Sequence, residues 1–185
     1  MLKRVGQFFL VSFVIAAVTF LVCRWYFAPV AFFTPGPQCA DNIIREINRA
    51  HTIDIAVYAI TAPDIADAIV AAHGRGVRVR IVSDRTMAAH HASQIPRLRD
   101  AGIAVATNTQ YKIEHNKFAV FDNRRVVTGS FNWTTNASDS NSENCVFFIQ
   151  THGEFNARFE YLWGVYLRGR RTRGATDSKL AVIRG

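Results

Sequence analysis

The sequence predicts an α/β domain, a sheet with helices on its faces, carried behind an N-terminal hydrophobic helix. Three observations predict it. Strand-like apolar runs alternate with segments of helical periodicity from Asp41 to Leu167, glycine and proline punctuate them, and an uncharged run of 18 residues, Val5 to Val22, precedes them all. With 185 residues, 49% of them hydrophobic, the chain fits one domain with an appendage and can bury a core.

Val5 to Val22 follows Lys3-Arg4 and is closed by Cys23-Arg24-Trp25-Tyr26. A signal-peptide core runs ~7 to 15 residues and a spanning helix needs ~17 or more, so a membrane anchor is expected. A cleaved signal is the rival, since Ala28 to Ala31 offers small residues, though without small-x-small spacing. Val22 argues against a lipoprotein site at Cys23, and the absence of a polar face argues against a buried soluble helix. Lys3 and Arg4 would stay cytoplasmic, which puts the domain outside the cytoplasm, in the periplasm of a bacterium, or releases it there if the segment is cleaved. The expected organisation is anchor or signal over 1–31, linker over 32–37, domain over 38–168 and basic tail over 169–185.

Phe32 to Pro37 reads as the linker because proline and glycine break regular structure. Asp41 to Ala50 has Ile43, Ile44 and Ile47 at helical spacing, and Ile53 to Ile60 is a buried strand. Pro63 at a first-turn position opens a helix to His73, which Gly74 and Gly76 end. Val77 to Ser83 alternates as a strand, Ala92 to Ala101 is a short helix, and Ile103 to Ala106 a further strand. Thr134 to Asn141 reads as a polar loop, Asn144 to Gln150 as a strand, and Glu154 to Leu167 as an amphipathic helix with an aromatic stripe for packing. The tail from Arg168 is basic and broken by glycine; it is either a contact for nucleic-acid or lipid phosphates or, the default expectation, a solvated disordered end.

Twenty-two basic residues against 14 acidic ones give a net +8; Lys3, Arg4 and Arg24 precede Thr34 with no acid beside them, leaving +5 for the rest. That balance favours anionic partners, and nucleic acid and lipid headgroups both qualify. Three cysteines form no CxxC pair and no zinc-like cluster with histidine, so no metal is expected. Cys39 and Cys145 are either a disulfide of an oxidising compartment or two buried thiols.

The stretch Glu114 to Trp133 carries the chemistry. His115 and Lys117 are two apart in strand-like sequence and share a face, with Phe118 and Val120 packing behind, and Ser130 and Asn132 can meet them from a second strand after the Asp122-Asn123 turn. An imidazole can attack phosphorus or carry a proton, while an ammonium, a hydroxyl and an amide can hold phosphate oxygens. An isolated HxK is ordinarily a core histidine near a strand-end lysine; the whole spacing decides here.

His115-x-Lys117, Asp122 and Gly129-Ser130-x-Asn132 resemble the HxKxxxxD…GSxN motif of the phospholipase D superfamily without a departure. The resemblance runs from about Phe33 to Arg168 and includes Tyr58 to Pro63, Gly76 to Arg80 and Ser142-Glu143-Asn144; it is nearest to the small single-motif members, bacterial endonucleases and the mitochondrial cardiolipin hydrolase. It implies a mixed sheet flanked by helices and a reaction with no cofactor, in which one histidine attacks phosphorus to form a phosphohistidine and a second protonates the leaving oxygen. Only one HxK copy exists, since His51, His73, His90, His91 and His152 lack the lysine. The resemblance therefore implies a two-fold homodimer with both His115 side chains at a shared site, Lys117, Ser130 and Asn132 holding phosphate, and Glu143 orienting His115. Asp122, though part of the motif, is expected to support the turn. His90 and His91 either line a groove or sit in a plain loop.

Three functions follow. The first is a metal-independent endonuclease on DNA or RNA, with Phe131 and Trp133 either stacking on bases or packing in the core. The second is a phospholipase D on phosphatidylcholine or cardiolipin at a membrane. The third, an inactive binding module, is disfavoured because every motif residue is present.

Overall fold

The computed structural model describes residues 2–26, 28–150 and 152–183, with side chains over 12–24, 28–150 and 152–169. Its elements are α1 (Leu2–Tyr26), β1 (Val30–Phe33), α2 (Gln38–Arg49), β2 (Thr52–Val57), α3 (Pro63–Gly74), β3 (Arg78–Ser83), α4 (Arg85–Ala88), α5 (Ile95–Asp100), β4 (Ala104–Thr107), β5 (Lys117–Phe121), β6 (Arg125–Gly129), α6 (Thr135–Asp139), β7 (Asn144–Ile149) and α7 (Glu154–Ile183).

The strands form one sheet of order β1-β7-β6-β5-β2-β3-β4. It is mixed: β2, β3 and β4 are parallel, joined through α3 and α5 as parallel strands require, and β2 pairs antiparallel with β5 at the boundary with the hairpin half. One face packs α2, α3 and α5 over Ile53, Ile55, Ile81, Ala119 and Phe121. The other packs α7, through Phe159, Leu162 and Tyr166, over Ala56, Val82, Phe118 and Val120.

On that second face β2 carries a charge, Asp54, only 4% exposed. Its carboxylate accepts from Nη1 of Arg78 at 3.0 Å and from Nε and Nη2 of Arg80, both at 2.8 Å. Arg80 reaches on to Glu160 of α7 and lies 4.9 Å from the Phe159 ring centre. The aromatic stripe of α7 is thus docked by a buried ion pair as well as by apolar contact.

Boundaries differ from expectation most at three places, besides the strand expected over Ile53 to Ile60, which ends at Val57, and the short α4, which was not expected. Phe32 and Phe33, read as linker, belong to β1, which pairs antiparallel with β7 (Val30 with Phe147, Phe33 with Asn144); the breakers Pro35 and Gly36 act one turn later. The polar loop contains α6, capped by Thr134, whose hydroxyl accepts from the Ala137 N–H at 3.1 Å. The α7 backbone continues through the basic tail to Ile183, because each glycine costs only about 1 kcal/mol in a helix already nucleated.

Cys39 and Cys145 are joined by a disulfide that fastens α2 to β7. The expected anchor falls within α1. Its side chains from 5 to 11 lie outside the described residues; Phe13, Ile15, Phe20 and Leu21 are exposed, and among the described residues no helix is long and apolar enough to cross a membrane.

Replacing Asp54 by Ala strands Arg80, whose side chain is only 18% exposed, against Glu160 alone. A loss of about 3 kcal/mol or more is expected in urea unfolding.

Candidate active site

The site forms where the strands of both sheet halves end together. Register pairs Val57 with Lys117 across β2 and β5, Phe118 with Thr128 across β5 and β6, and Gly129 with Cys145 across β6 and β7. His115 is exposed two residues before the start of the β5 pairing, its ring edge-on to Tyr58 with centroids 4.8 Å apart. Lys117 is half-buried; its Nζ donates to the His115 carbonyl at 2.9 Å and stands 5.2 Å from the Tyr58 ring centre. Burial pushes Lys117 below the ordinary lysine value, while the charges of Glu143 and Glu114 act the other way.

Ser130 and Asn132 reach this end because the chain after β6 is clamped on both sides. The N–H groups of Ser130 and Phe131 both donate to the Asn144 carbonyl at 3.1 Å, and that of Trp133 donates to Ala59 at 3.2 Å. Such an approach requires glycine at 129, where φ is +152° and a Cβ would lie 2.2 Å from the Asn144 oxygen. The Ser130 hydroxyl accepts from the Asn144 N–H at 3.0 Å, and Oδ1 of Asn132 is buried without a partner. Phe131 and Trp133 are 2% and 1% exposed and pack in the core, so they offer no stacking surface for bases.

Glu143 stands at the start of β7 within electrostatic reach of Lys117. Its carboxylate accepts from Nδ2 of Asn141 at 3.0 Å, and the His115 ring makes no hydrogen bond to it. Thr34 fixes this loop, accepting the Glu143 N–H at 2.9 Å and donating its hydroxyl to the Asn141 carbonyl at 2.8 Å. The supposed linker is therefore tied to the site.

Asp122 is not brought to this group. It lies at the far end of β5, about 17 Å from Lys117 at ~3.3 Å per residue. With Asn123 it takes the left-handed conformation (φ 52° and 57°) of the β5–β6 hairpin turn. Its carboxylate accepts from the N–H groups of His51 at 2.7 Å and Thr52 at 3.0 Å and from Nη2 of Arg125 at 2.8 Å. Burial would raise its pKa, but these bonds prevail and hold it below the ordinary 3.8. The rings of His90 and His91 lie 4.2 Å apart, tilted by 39°, in an exposed loop after α4.

Among the described residues no cluster of three or more His, Cys, Asp or Glu could hold a metal ion. A cleft of about 490 Å³ opens at the opposite end of the sheet, lined by Val30, Phe32, Arg45, Arg49, Arg125 and Phe147 among others.

Sequence reasoning passed over Tyr58, Glu114 and Asp84. Tyr58 lay in a recognisable stretch but carried no polar spacing signal. Glu114, 1% exposed, and Asp84, 2% exposed, were legible only as acids beside apolar strands.

Residues 43–163 match the family model described as cardiolipin synthase, PLD-like domain. The mitochondrial cardiolipin hydrolase of Chlamydomonas reinhardtii is 40% identical over 137 residues, 72% of this chain and 61% of that protein. A phospholipase D of Rickettsia prowazekii is 36% identical over 115 residues, 62% and 56% of the two chains. The matched region thus spans about three-fifths of these relatives' length. The crystal structure of Nuc from Salmonella typhimurium, a phospholipase D family member, superposes with a TM-score of 0.65 at 33% identity, covering 77% of this chain and 96% of that one.

Replacing Asp122 by Ala should cost about 1–3 kcal/mol of stability and leave kcat per folded molecule unchanged. Because the folded pKa is depressed, this contribution is present above pH 3.8 and is lost as pH falls through the folded value. The stability difference between wild type and variant should therefore close on acidification, as read by urea unfolding at several pH values.

Proposed function

The chain belongs to the phospholipase D superfamily, and from that premise we propose that it is a metal-independent phosphodiesterase acting on DNA or RNA as an endonuclease. The observation that carries this reading is the open placement of His115. An exposed imidazole, whose backbone carbonyl takes the Lys117 ammonium at 2.9 Å, suits a long flexible diester that must lie across the surface. His115 is the nucleophile at phosphorus, Lys117, Ser130 and Asn132 hold the non-bridging oxygens, and Glu143 orients the imidazole once the site is complete. The exposed imidazole fits a half-site awaiting its symmetry mate. Two copies meeting about a two-fold axis would supply the second histidine as the acid for the leaving oxygen.

We further propose that α1 anchors the domain outside the cytoplasm. The Cys39–Cys145 disulfide, a bond of oxidising compartments, supports a location outside the cytoplasm; the anchor itself rests on the uncharged run Val5 to Val22 of the sequence, since among the described residues no helix is long and apolar enough to cross a membrane. The chain enters β1 at Val30, at the end of the sheet away from His115, and runs toward the site end at Phe33.

The second reading, a phospholipase D acting on cardiolipin or another phosphatidyl diester, is favoured by the 40% identity to a protein named mitochondrial cardiolipin hydrolase.

Wild type and His115→Ala, each assayed in EDTA on single-stranded DNA and on phosphatidylcholine/cardiolipin vesicles, separate the readings. Cleavage of DNA by wild type alone is expected, with the variant's kcat reduced by about 10⁴-fold or more. Headgroup or phosphatidic acid release without DNA cleavage would establish the lipid reading, and activity restored by zinc after its loss in EDTA would overturn both.

A further inference from the structure

Behind the exposed imidazole lies a buried carboxylate. Glu114 Oε1 accepts from the Asn116 N–H at 3.1 Å and from Nδ2 of Asn116 at 2.5 Å, while Oε2 accepts from the Tyr166 hydroxyl of α7. Its own N–H donates to Oδ2 of Asp84 at 3.0 Å. Asp84 is itself fixed, because Oδ1 accepts from the N–H groups of Thr86 and Met87 at the start of α4. The residue between the two held amides, 114 and 116, is His115.

We propose that Glu114 is a positioning residue for the reaction: with Asp84 and Tyr166 it fixes the backbone on both sides of His115, so that imidazole and Lys117 ammonium are presented together. The proposal rests on the reading of His115 and Lys117 as reacting and phosphate-holding groups. A turn that needed only shape could be held by a neutral side chain, and burying a carboxylate is costly unless its charge is used.

Here the charge has a use. Lys117 is faced by Glu143 from the start of β7, by Glu114 and His115 on its own segment, and by the Tyr58 ring at the end of β2. Glu114 thus works against the burial that lowers the Lys117 pKa. Glu114 itself faces Asp84, Asn116 and Tyr166, and beyond Tyr166 stand Tyr111 and Arg158. Burial first, then the bond to Glu114, pushes the Tyr166 hydroxyl far above the ordinary tyrosine value. It therefore remains a donor throughout the working pH range.

Glu114→Gln separates shape from charge. Its carbonyl oxygen can still serve Asn116 and its amide N–H can donate to the Tyr166 hydroxyl oxygen, so the turn survives while the charge is removed. The full chain in detergent is assayed on bis(p-nitrophenyl) phosphate across the pH range, with thermal melting in parallel. Glu114→Gln is expected to melt near wild type, with the alkaline limb of kcat moved down by roughly 0.5 to 1 pH unit. Glu114→Ala is expected to lose about 100-fold in kcat with KM little changed, most of it recovered in the Gln variant at its optimum.

Unchanged kcat per folded molecule and an unmoved alkaline limb in Glu114→Gln, with only melting affected in Glu114→Ala, would overturn the proposal. If the Ala variant does not fold, the Gln variant decides. NMR titration of the Lys117 side chain in wild type and Glu114→Gln reads the same charge without turnover: a lowered midpoint supports the proposal and an unmoved one overturns it. Full activity in His115→Ala would instead overturn the reading of the site, and the titration would still decide Glu114.

Discussion

The close approach of Gly129 to the Asn144 carbonyl is the constraint on which the site depends. One oxygen receives two consecutive N–H groups, from Ser130 and Phe131, and no residue with a Cβ fits between. That junction turns the chain out of β6 so that Ser130 and Asn132 leave the sheet beside Lys117, while Phe131 and Trp133 turn inward. The polar and apolar alternation of Ser-Phe-Asn-Trp is thereby converted into a site on one side and core on the other. The disulfide at Cys145, one residue beyond Asn144, fastens the same strand to α2.

A second constraint is electrostatic. The domain buries several carboxylates, Asp54, Asp84 and Glu114 among them, and each is fully engaged. Asp54 docks α7 through Arg80, and α7 in turn delivers Tyr166 to Glu114 beside the motif. The far helix and the site are therefore joined by bonds running along one face of the sheet. Loosening α7 should be felt at His115, although α7 contributes no motif residue.

Much of this was legible in the sequence because period and punctuation dominate an α/β domain. The alternation in Val77 to Ser83, Pro63 at a helix start and the Asp122-Asn123 turn each specify local structure directly. The two-residue steps of His115-x-Lys117 and Ser130-x-Asn132 were expected to bring the four side chains to one end of adjacent strands; Lys117 opens β5 and Ser130 and Asn132 follow the end of β6. Glu114 and Asp84 were not legible, because their role depends on which distant elements meet, and Tyr166 sits 52 residues from Glu114. Phe32 and Phe33 were misread for the same reason: the β1 pairing with β7 crosses more than a hundred residues, and the nearby Pro35-Gly36 gave a stronger local signal.

The central claim is that His115 attacks phosphorus. The most direct test is mass spectrometry of the protein quenched in alkali during turnover of bis(p-nitrophenyl) phosphate, where a phosphohistidine ester survives. The account predicts a p-nitrophenyl phosphoryl adduct on His115, formed without added metal and absent when His115 is replaced. An adduct on another residue, or steady turnover with no adduct at any quench time, would contradict it.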